Sequence, residues 1–256
     1  MPDALSPEPP QRQSSCMKIA TWNLQSDKKL TQEREALFRQ AMNSVDADVW
    51  VLTETWVCFL PLPGYRLVAQ TCEAVDLEPA RRWVAIWSKL DAKPVEVHGQ
   101  PDRMACGRIE KPGQRDLVVI GTVLPWHFDR LWPNAAGFCA ALAGQLAEWD
   151  RLLGTPRTCA LSVAGDFNQS LPHQNHYGSK PGEAALNDAM RRHDLLCLTQ
   201  GNDLLSGTPR IDHICVSQSG LQAHSAPSAG TWSVPLLDNK PITDHSGAYA
   251  DFEVLP

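Results

Sequence analysis

The sequence predicts an α+β protein: two packed, mainly antiparallel β-sheets flanked by helices, a four-layer α/β sandwich. Short apolar runs of strand length recur through the chain, whereas only three stretches carry helical periodicity. The order of these elements has no regular βαβ rhythm, which disfavours a doubly wound parallel sheet. Neither an internal repeat nor a linker interrupts 17–256, so that span is expected to form one domain. Residues 1–16 are polar and Pro-rich without an apolar stretch. They read as a disordered tail rather than a secretory signal.

The first strand is expected over Lys18 to Leu24. Leu30, Leu37, Phe38, Ala41 and Met42 share a helical face, which predicts a helix over Thr31 to Asn43. Asp48 to Thr53 (DVWVLT) reads as a buried strand. Tyr65 to Gln70 follows a Pro-Gly turn as another, and Trp83 to Ser88 as a strong one. Val95 to Ile109 suggests two weaker strands, and Asp116 to Leu124 a strong one. Asn134 to Leu153 is the clearest helix, capped by Asn134 and ended by Gly154. A strand over Thr158 to Ala164, a helix over Glu183 to Asp194, and strands over Ile211 to Ser217 and Ser246 to Val254 complete the set.

Five of these elements border a polar segment: TWNL (Thr21 to Leu24), TET (Thr53 to Thr55), GDFN (Gly165 to Asn168), RID (Arg210 to Asp212) and TDHS (Thr243 to Ser246). Apolar runs bounded by Asn23, Glu54, Asp166, Asp212 and Asp244 can present all five at one rim. Carboxylates gathered there would repel unless a divalent cation joined them. Glu54, after a buried strand, suits Mg²⁺, which takes one or two carboxylates plus phosphate oxygens; taken alone it would be an ordinary solvated strand end. In an extended GDFN, Asp166 and Asn168 point the same way. Asp166 can take a proton from water and Asn168 can hydrogen-bond a phosphoryl oxygen. An Asx-turn is the plain alternative. His245 could serve as a phosphate-facing imidazolium if a carboxylate orients it, and Asp212 is the candidate. The second Asp-His pair, Asp212–His213, lies within a strand pattern, so His213 is expected to be packed rather than catalytic.

These segments, in this order, resemble the endonuclease/exonuclease/phosphatase superfamily, and the likeness extends over almost all of Met17 to Val254. The resemblance implies phosphoester hydrolysis by metal-assisted water attack, with Mg²⁺ as cofactor and Mn²⁺ as a substitute. It implies that Glu54 is the principal metal ligand, with Asn23 and Asp244 helping to hold or position metal. Asp166 would activate water, Asn168 would hold the transition state, and Asp212 would brace His245. Family members usually carry a Tyr or His on the central strand, where this chain has Gly121 to Leu124. Thr122 or His127 fills that role, or nothing does. Relatives often have a Gly before the strand RRWVAIWS; Trp83 stands there.

Substrate choice is expected to reside in loops. Arg81 and Arg82 beside Trp83, and Trp126, His127 and Arg130, offer cations next to aromatic rings, a mixture suited to a phosphate and a stacked base. Singly, each is better read as a solvated arginine or a packed tryptophan. HQNH (His173 to His176) reads as a polar loop. A nuclease acting on DNA or RNA is the leading expectation. A phosphatase or phosphodiesterase for a small-molecule or lipid headgroup phosphate is the alternative, and a non-catalytic binding module on the same fold the third. The net charge of −6, from 29 acidic and 23 basic residues, counts against binding of nucleic acid by bulk electrostatics alone. A bound cation would supply positive charge locally. No apolar run reaches bilayer length, and no obligate protein partner is evident. The eight cysteines lack C-x-x-C spacing, and Cys159, Cys197 and Cys215 sit in apolar runs as small hydrophobes. An even count leaves disulfides open, but a reduced, cytoplasmic protein is the simplest expectation.

Overall fold

A computed structural model describes residues 16–59, 61–153, 159–171, 177–203, 206–222 and 226–256. The proposed tail, Gly154, Thr158 and the HQNH segment fall outside the described residues, apart from Cys16 at the tail's end. The strands are β1 (Met17–Asn23), β2 (Val49–Trp56), β3 (Arg66–Gln70), β4 (Arg81–Ser88), β5 (Ala92–Val95), β6 (Met104–Ile109), β7 (Leu117–Val123), β8 (Ala160–Asp166), β9 (Leu195–Cys197), β10 (Asp212–Ser217), β11 (Ser228–Thr231), β12 (Leu236–Leu237), β13 (Lys240–Pro241) and β14 (Ala248–Phe252). The helices are α1 (Gln32–Val45), α2 (Asn134–Leu153) and α3 (Lys180–Arg192).

Two six-stranded sheets result, in the orders β11-β14-β1-β2-β4-β3 and β5-β6-β7-β8-β10-β9. Each is antiparallel except at one pair, β1–β2 in the first and β7–β8 in the second. Each parallel pair is joined through a helix, α1 or α2, as a parallel crossover requires. Alternation along the strands separates three apolar layers. Ile19, Val49, Val51, Val84 and Ile86 of the first sheet meet Val119, Val123, Ala164, Ile214 and Val216 of the second. Trp22, Trp50 and Leu52 face outward under Phe38 and Met42 of α1. Val118, Ile120, Leu161 and Val163 lie under Phe138, Leu142 and Trp149 of α2, with Leu186 and Met190 of α3. The order α1, sheet, sheet, α2/α3 is the four-layer sandwich.

Several boundaries move for local reasons. Thr31 is the cap of α1 rather than its first residue, accepting from Arg34 N. Ser179 caps α3, whose Pro181 lies in the first turn, so this helix begins before Glu183. Asn134 accepts from Ala136 N and caps α2 as the sequence suggests. The span read as two weaker strands, Val95 to Ile109, holds only β6; β5 shares Val95 alone with it. Four further strands escape the sequence reading. β9 and β11 are short edge strands, and β12–β13 is a hairpin of two residues per strand. Its turn residues Asp238 and Asn239 both have positive φ, 50° and 62°, the signature of a type I′ turn.

Candidate active site

One rim of the sandwich collects the five polar segments. β1, β2 and β8 run toward it, while β10 and β14, antiparallel to their neighbours, begin there. The register pairs Asp212 with Asp166 directly, and Ala248 with Thr21, so the 243–246 segment arrives beside Asn23.

Asn23 is fully buried and sits at the junction. Its Nδ2 donates to Glu54 Oε1 at 2.9 Å and to Asp166 Oδ2 at 3.1 Å, while its Oδ1 accepts from Gln25 N. Glu54 lies within β2 rather than after it, and its φ of 43° is the left-handed backbone a Glu rarely adopts. Burial raises its carboxyl, and Asp244 and Asp27 add to that. The Asn23 hydrogen bond and His245 oppose the rise.

Asp166 is buried at the end of β8. Burial first, then the charge of Asp212 and that of Glu54, push its pKa up to about 7 against the pull of His245 and the Asn168 amide. Asn168 N donates to Asp166 Oδ1 at 2.8 Å with φ 46° at Asn168, so GDFN does form the Asx-turn. The turn and the site coexist: Asp166 spends one oxygen on the turn and the other on Asn23. Asn168 gives its own amide to Leu124 O at 2.9 Å. Gly165 has φ 135°, and a Cβ there would lie 2.1 Å from Thr122 O, so no larger residue lets β8 end this way.

Opposite, His245 Nδ1 lies 2.5 Å from Asp212 Oδ2. Burial acts against a charged ring. Asp212, by charge and hydrogen bond, and then Asp166 and Asp244, outweigh it and hold the imidazole pKa well above its ordinary value. These carboxylates favour the protonated form of the His245 ring. Asp212 Oδ1 is buried and has no hydrogen-bond partner among the described residues. Asp244 is largely exposed, receives Gln25 Nε2 at 3.1 Å, and lies 3.9 Å from His245 Nε2. A cavity of about 180 Å³ opens on this wall, lined by Tyr177, Asp203, Asp212, Asp244 and His245 among others.

Residues that the sequence reading passed over hold the polar segments in place. Trp22 Nε1 donates to His245 O at 2.9 Å, Thr243 Oγ1 to Asn23 O at 2.8 Å, and Ser246 N to Asp203 Oδ2 at 2.9 Å. Arg34 stands at helical spacing from Leu30, Leu37, Phe38 and Ala41, on the apolar face of α1. It is buried there, donating to the carbonyls of Leu24, Gln25 and Ile242 and so tying TWNL to TDHS. Tyr177 stands on the cavity wall near Asp166 and Asp244, its phenol raised by burial and then by those two charges. A charge in the middle of the apolar stripe is the signal that marks Arg34; no pattern in the sequence marks Tyr177.

Thr122 is removed from the chemistry: its hydroxyl donates to Gln145 Oε1 at 2.6 Å, buried beneath α2. Val123, the register partner of Asp166, is aliphatic and buried. His127 is exposed, edge-on to Phe128. Trp126 and His127 flank Asn168 and Gln169 around a small crevice, and Arg130 is exposed on the same loop. Arg81 pairs with Glu78 and reaches Asp27 O. Arg82 turns to Glu73 and Pro79 O and lines a different cavity, with Gln70, Thr71 and Cys106. Trp83 stacks on the buried Arg103, which bridges Asp76 at 2.5 Å and Asp129 at 2.9 Å. His213 is packed as expected, against Phe167.

The oxygen donors fit a hard divalent cation. Glu54 and Asp166 converge on one amide with no side-chain cation between them among the described residues, and Asp166, Asp212 and His245 offer donor atoms within 4.8 Å of one another. Of that last trio, His245 already shares its Nδ1 with Asp212, so the Glu54–Asp166 side is the better cation seat.

The family model for the Endonuclease/Exonuclease/phosphatase family matches residues 20–245. No curated protein sequence matches the chain significantly. Among solved structures, an AP endonuclease from Archaeoglobus fulgidus is 19% identical, with TM-score 0.66, covering 93% of this chain and 100% of that one. A humanized D. rerio TDP2 is 15% identical at TM-score 0.66, covering 93% and 99%. The human Nocturnin catalytic domain is 16% identical at TM-score 0.61, covering 94% and 95%. At these identities the likeness establishes a shared fold. Together with the family match, which takes in four of the polar segments whole and the fifth as far as His245, it places the chain in the endonuclease/exonuclease/phosphatase family.

Proposed function

We propose that this protein is a divalent-metal-dependent phosphodiester hydrolase, and that its substrate is a nucleic acid. The observation that carries the reading is the convergence of Asn23, Glu54 and Asp166 through one amide, with the Asp212-braced ring of His245 beside them. Glu54 would hold Mg²⁺, with Asn23 orienting it and Asp244 acting at the exposed edge; Mn²⁺ would substitute. When bound, the cation would neutralise charge on the phosphoryl group and on the crowded carboxylates. Asp166 would take the proton of the attacking water, its raised pKa suiting it to a base at neutral pH. Asn168 would position the phosphoryl group. His245 would face the phosphate through Nε2, since Nδ1 is engaged with Asp212, and stabilise charge as the leaving oxygen departs.

A polymer is favoured by the loop beside Asn168. Trp126 and Phe128 are exposed and in edge contact at 5.4 Å between ring centroids, with Arg130 next to them. Exposed rings beside a cation can stack a base. Solved relatives include AP endonucleases, and one TDP2 structure is a complex with single-strand DNA product. The test is a substrate panel: plasmid, single-stranded oligonucleotide, RNA, sphingomyelin and inositol phosphates, each with Mg²⁺ and with EDTA. Mg²⁺-dependent cleavage of a nucleic acid, impaired by Trp126→Ala with Phe128→Ala, is expected. Turnover confined to a lipid or inositol phosphate would give the reaction to the alternative substrate class. Turnover of none would leave a binding module.

A further inference from the structure

We propose that Cys197 and Cys215 form a reversible, peroxide-driven disulfide that staples β9 to β10 behind the active site. The two residues are direct partners in the antiparallel register of these strands. Leu198 N donates to Ile214 O at 2.9 Å, which makes Leu198–Ile214 the hydrogen-bonded pair. The neighbouring Cys197–Cys215 pair is then of the non-hydrogen-bonded kind, where Cα atoms stand about 4.5 Å apart and side chains are closest. That spacing lies inside the roughly 4.4–6.8 Å range a disulfide spans without moving the backbone. Both side chains are on the helix-covered face of the second sheet, and no disulfide joins any of the eight cysteines, all of which are among the described residues.

Chemistry and access favour the pair. His213, on the same face of β10, brings Nδ1 to 3.5 Å from Cys197 Sγ. Burial acts to raise the Cys197 thiol, but hydrogen bonds from Cys215 and the His213 ring bring it well below its ordinary value, while burial raises Cys215. Cys197 is thereby the attacking sulfur and Cys215 the resolving one. A cavity of about 610 Å³, lined by Met190, Leu195, Cys197 and Gln200 among others, opens onto Cys197. Cys215 has no exposed surface and is reached through its partner. These atoms make no metal site: among the described residues the single group of three donors at coordinating distance is Asp166, Asp212 and His245.

The Cys197 thiolate attacks one oxygen of hydrogen peroxide. The O–O bond breaks, hydroxide leaves, and a sulfenic acid forms on Cys197. The Cys215 sulfur then attacks the Cys197 sulfur, the S–O bond breaks, and the departing hydroxide leaves as water with the Cys215 proton. Two thiols lose two electrons and one peroxide becomes two waters. The bridge would close the segment 198–214, which carries Asp203, the acceptor for Ser246 N, and Arg210, which donates to Gly247 O at 3.5 Å. It would anchor the base of one wall of the active-site cavity.

The experiment treats the full-length wild-type protein with hydrogen peroxide, alkylates remaining thiols in denaturant, and maps the peptides. A Cys197–Cys215 linkage is expected, reversed by dithiothreitol, with the thermal midpoint raised by roughly 5 °C in the oxidised form. Cys215→Ser should leave a Cys197 sulfenic acid that a dimedone probe captures. Should that variant fail to fold, the wild-type peptide map decides. The proposal is overturned if Cys58 and Cys72, both exposed, are oxidised while Cys197 and Cys215 still alkylate, or if Cys197 links to a different cysteine.

Discussion

Asn23 donates to Asp166 at 3.1 Å although the two residues are 143 positions apart and belong to different sheets. This bond crosses the edge where the sheets meet, and the same Nδ2 also serves Glu54. A single amide thus registers one sheet against the other at the point where chemistry is expected. Replacing it by an apolar side chain would leave two buried carboxylates facing each other without a donor.

Asp166→Asn should lower turnover by about 10²- to 10⁴-fold, the usual worth of a general base. It should not lower the thermal midpoint, because it removes a carboxylate that burial and Asp212 already disfavour. Rates and melting curves on the same preparation check both halves. Near wild-type turnover would remove Asp166 from the role of base.

Glu54→Gln should chiefly alter the metal requirement. The Asn23 Nδ2 donor keeps an acceptor at 2.9 Å, so the fold persists while the site loses a negative charge. The Mg²⁺ concentration giving half-maximal rate should rise at least about tenfold, the scale of losing even weakened ligation. An unchanged Mg²⁺ titration would place the cation elsewhere.

Asp212→Asn should shift the alkaline limb of the pH–rate profile toward lower pH. Asp212 is the main group opposing burial at His245, so without it the imidazolium loses its proton earlier. Profiles of kcat/KM from about pH 5 to about pH 9 would show it. An unmoved limb would mean that His245 is not the group titrating there.

The metal-free protein should lose stability as pH rises. Asp166 has a folded pKa of about 7, raised from 3.8, so between these values the folded state binds the extra proton and stability falls with rising pH. His245 is also raised, from 6.5, so its contribution is present below that value and is lost as pH climbs through the folded pKa. Both groups act in one direction. Mg²⁺ should therefore raise the thermal midpoint more at about pH 8 than at about pH 5, since a cation replaces the missing protons. Equal stabilisation at both values would contradict a carboxylate seat.

Arg103→Ala should cost about 3–5 kcal/mol, because it strands two buried carboxylates, Asp76 and Asp129. Asp129 Oδ1 also receives Leu131 N and Trp132 N, so the exposed loop with Trp126 should loosen as well. Denaturant unfolding and limited proteolysis at that loop measure the two effects. A loss under 1 kcal/mol, the scale of an exposed pair, would show the triad to be slack.

The sequence by itself determined the architecture and the identity of the polar cluster. Strand alternation and helical spacing set which residues face the inter-sheet core and which lie under α1 or α2, because burial of one face is a local property of a periodic segment. Polar residues bordering apolar runs were legible for the same reason, and the five segments do meet at one rim. What only the tertiary structure decided depends on partners distant in the chain. Arg34 falls on the apolar stripe of α1, but its partners, the carbonyls of Leu24, Gln25 and Ile242, are set by the tertiary structure. Thr122 looked available until α2 brought Gln145 to its hydroxyl, and Arg82 until β4 turned it toward Glu73. The short strands β9 and β11 carry too few residues to show a period, and they form because a sheet edge offers them hydrogen bonds. Periodicity encodes which face is buried. Which group answers which across the sandwich is set by packing, and no local pattern contains it.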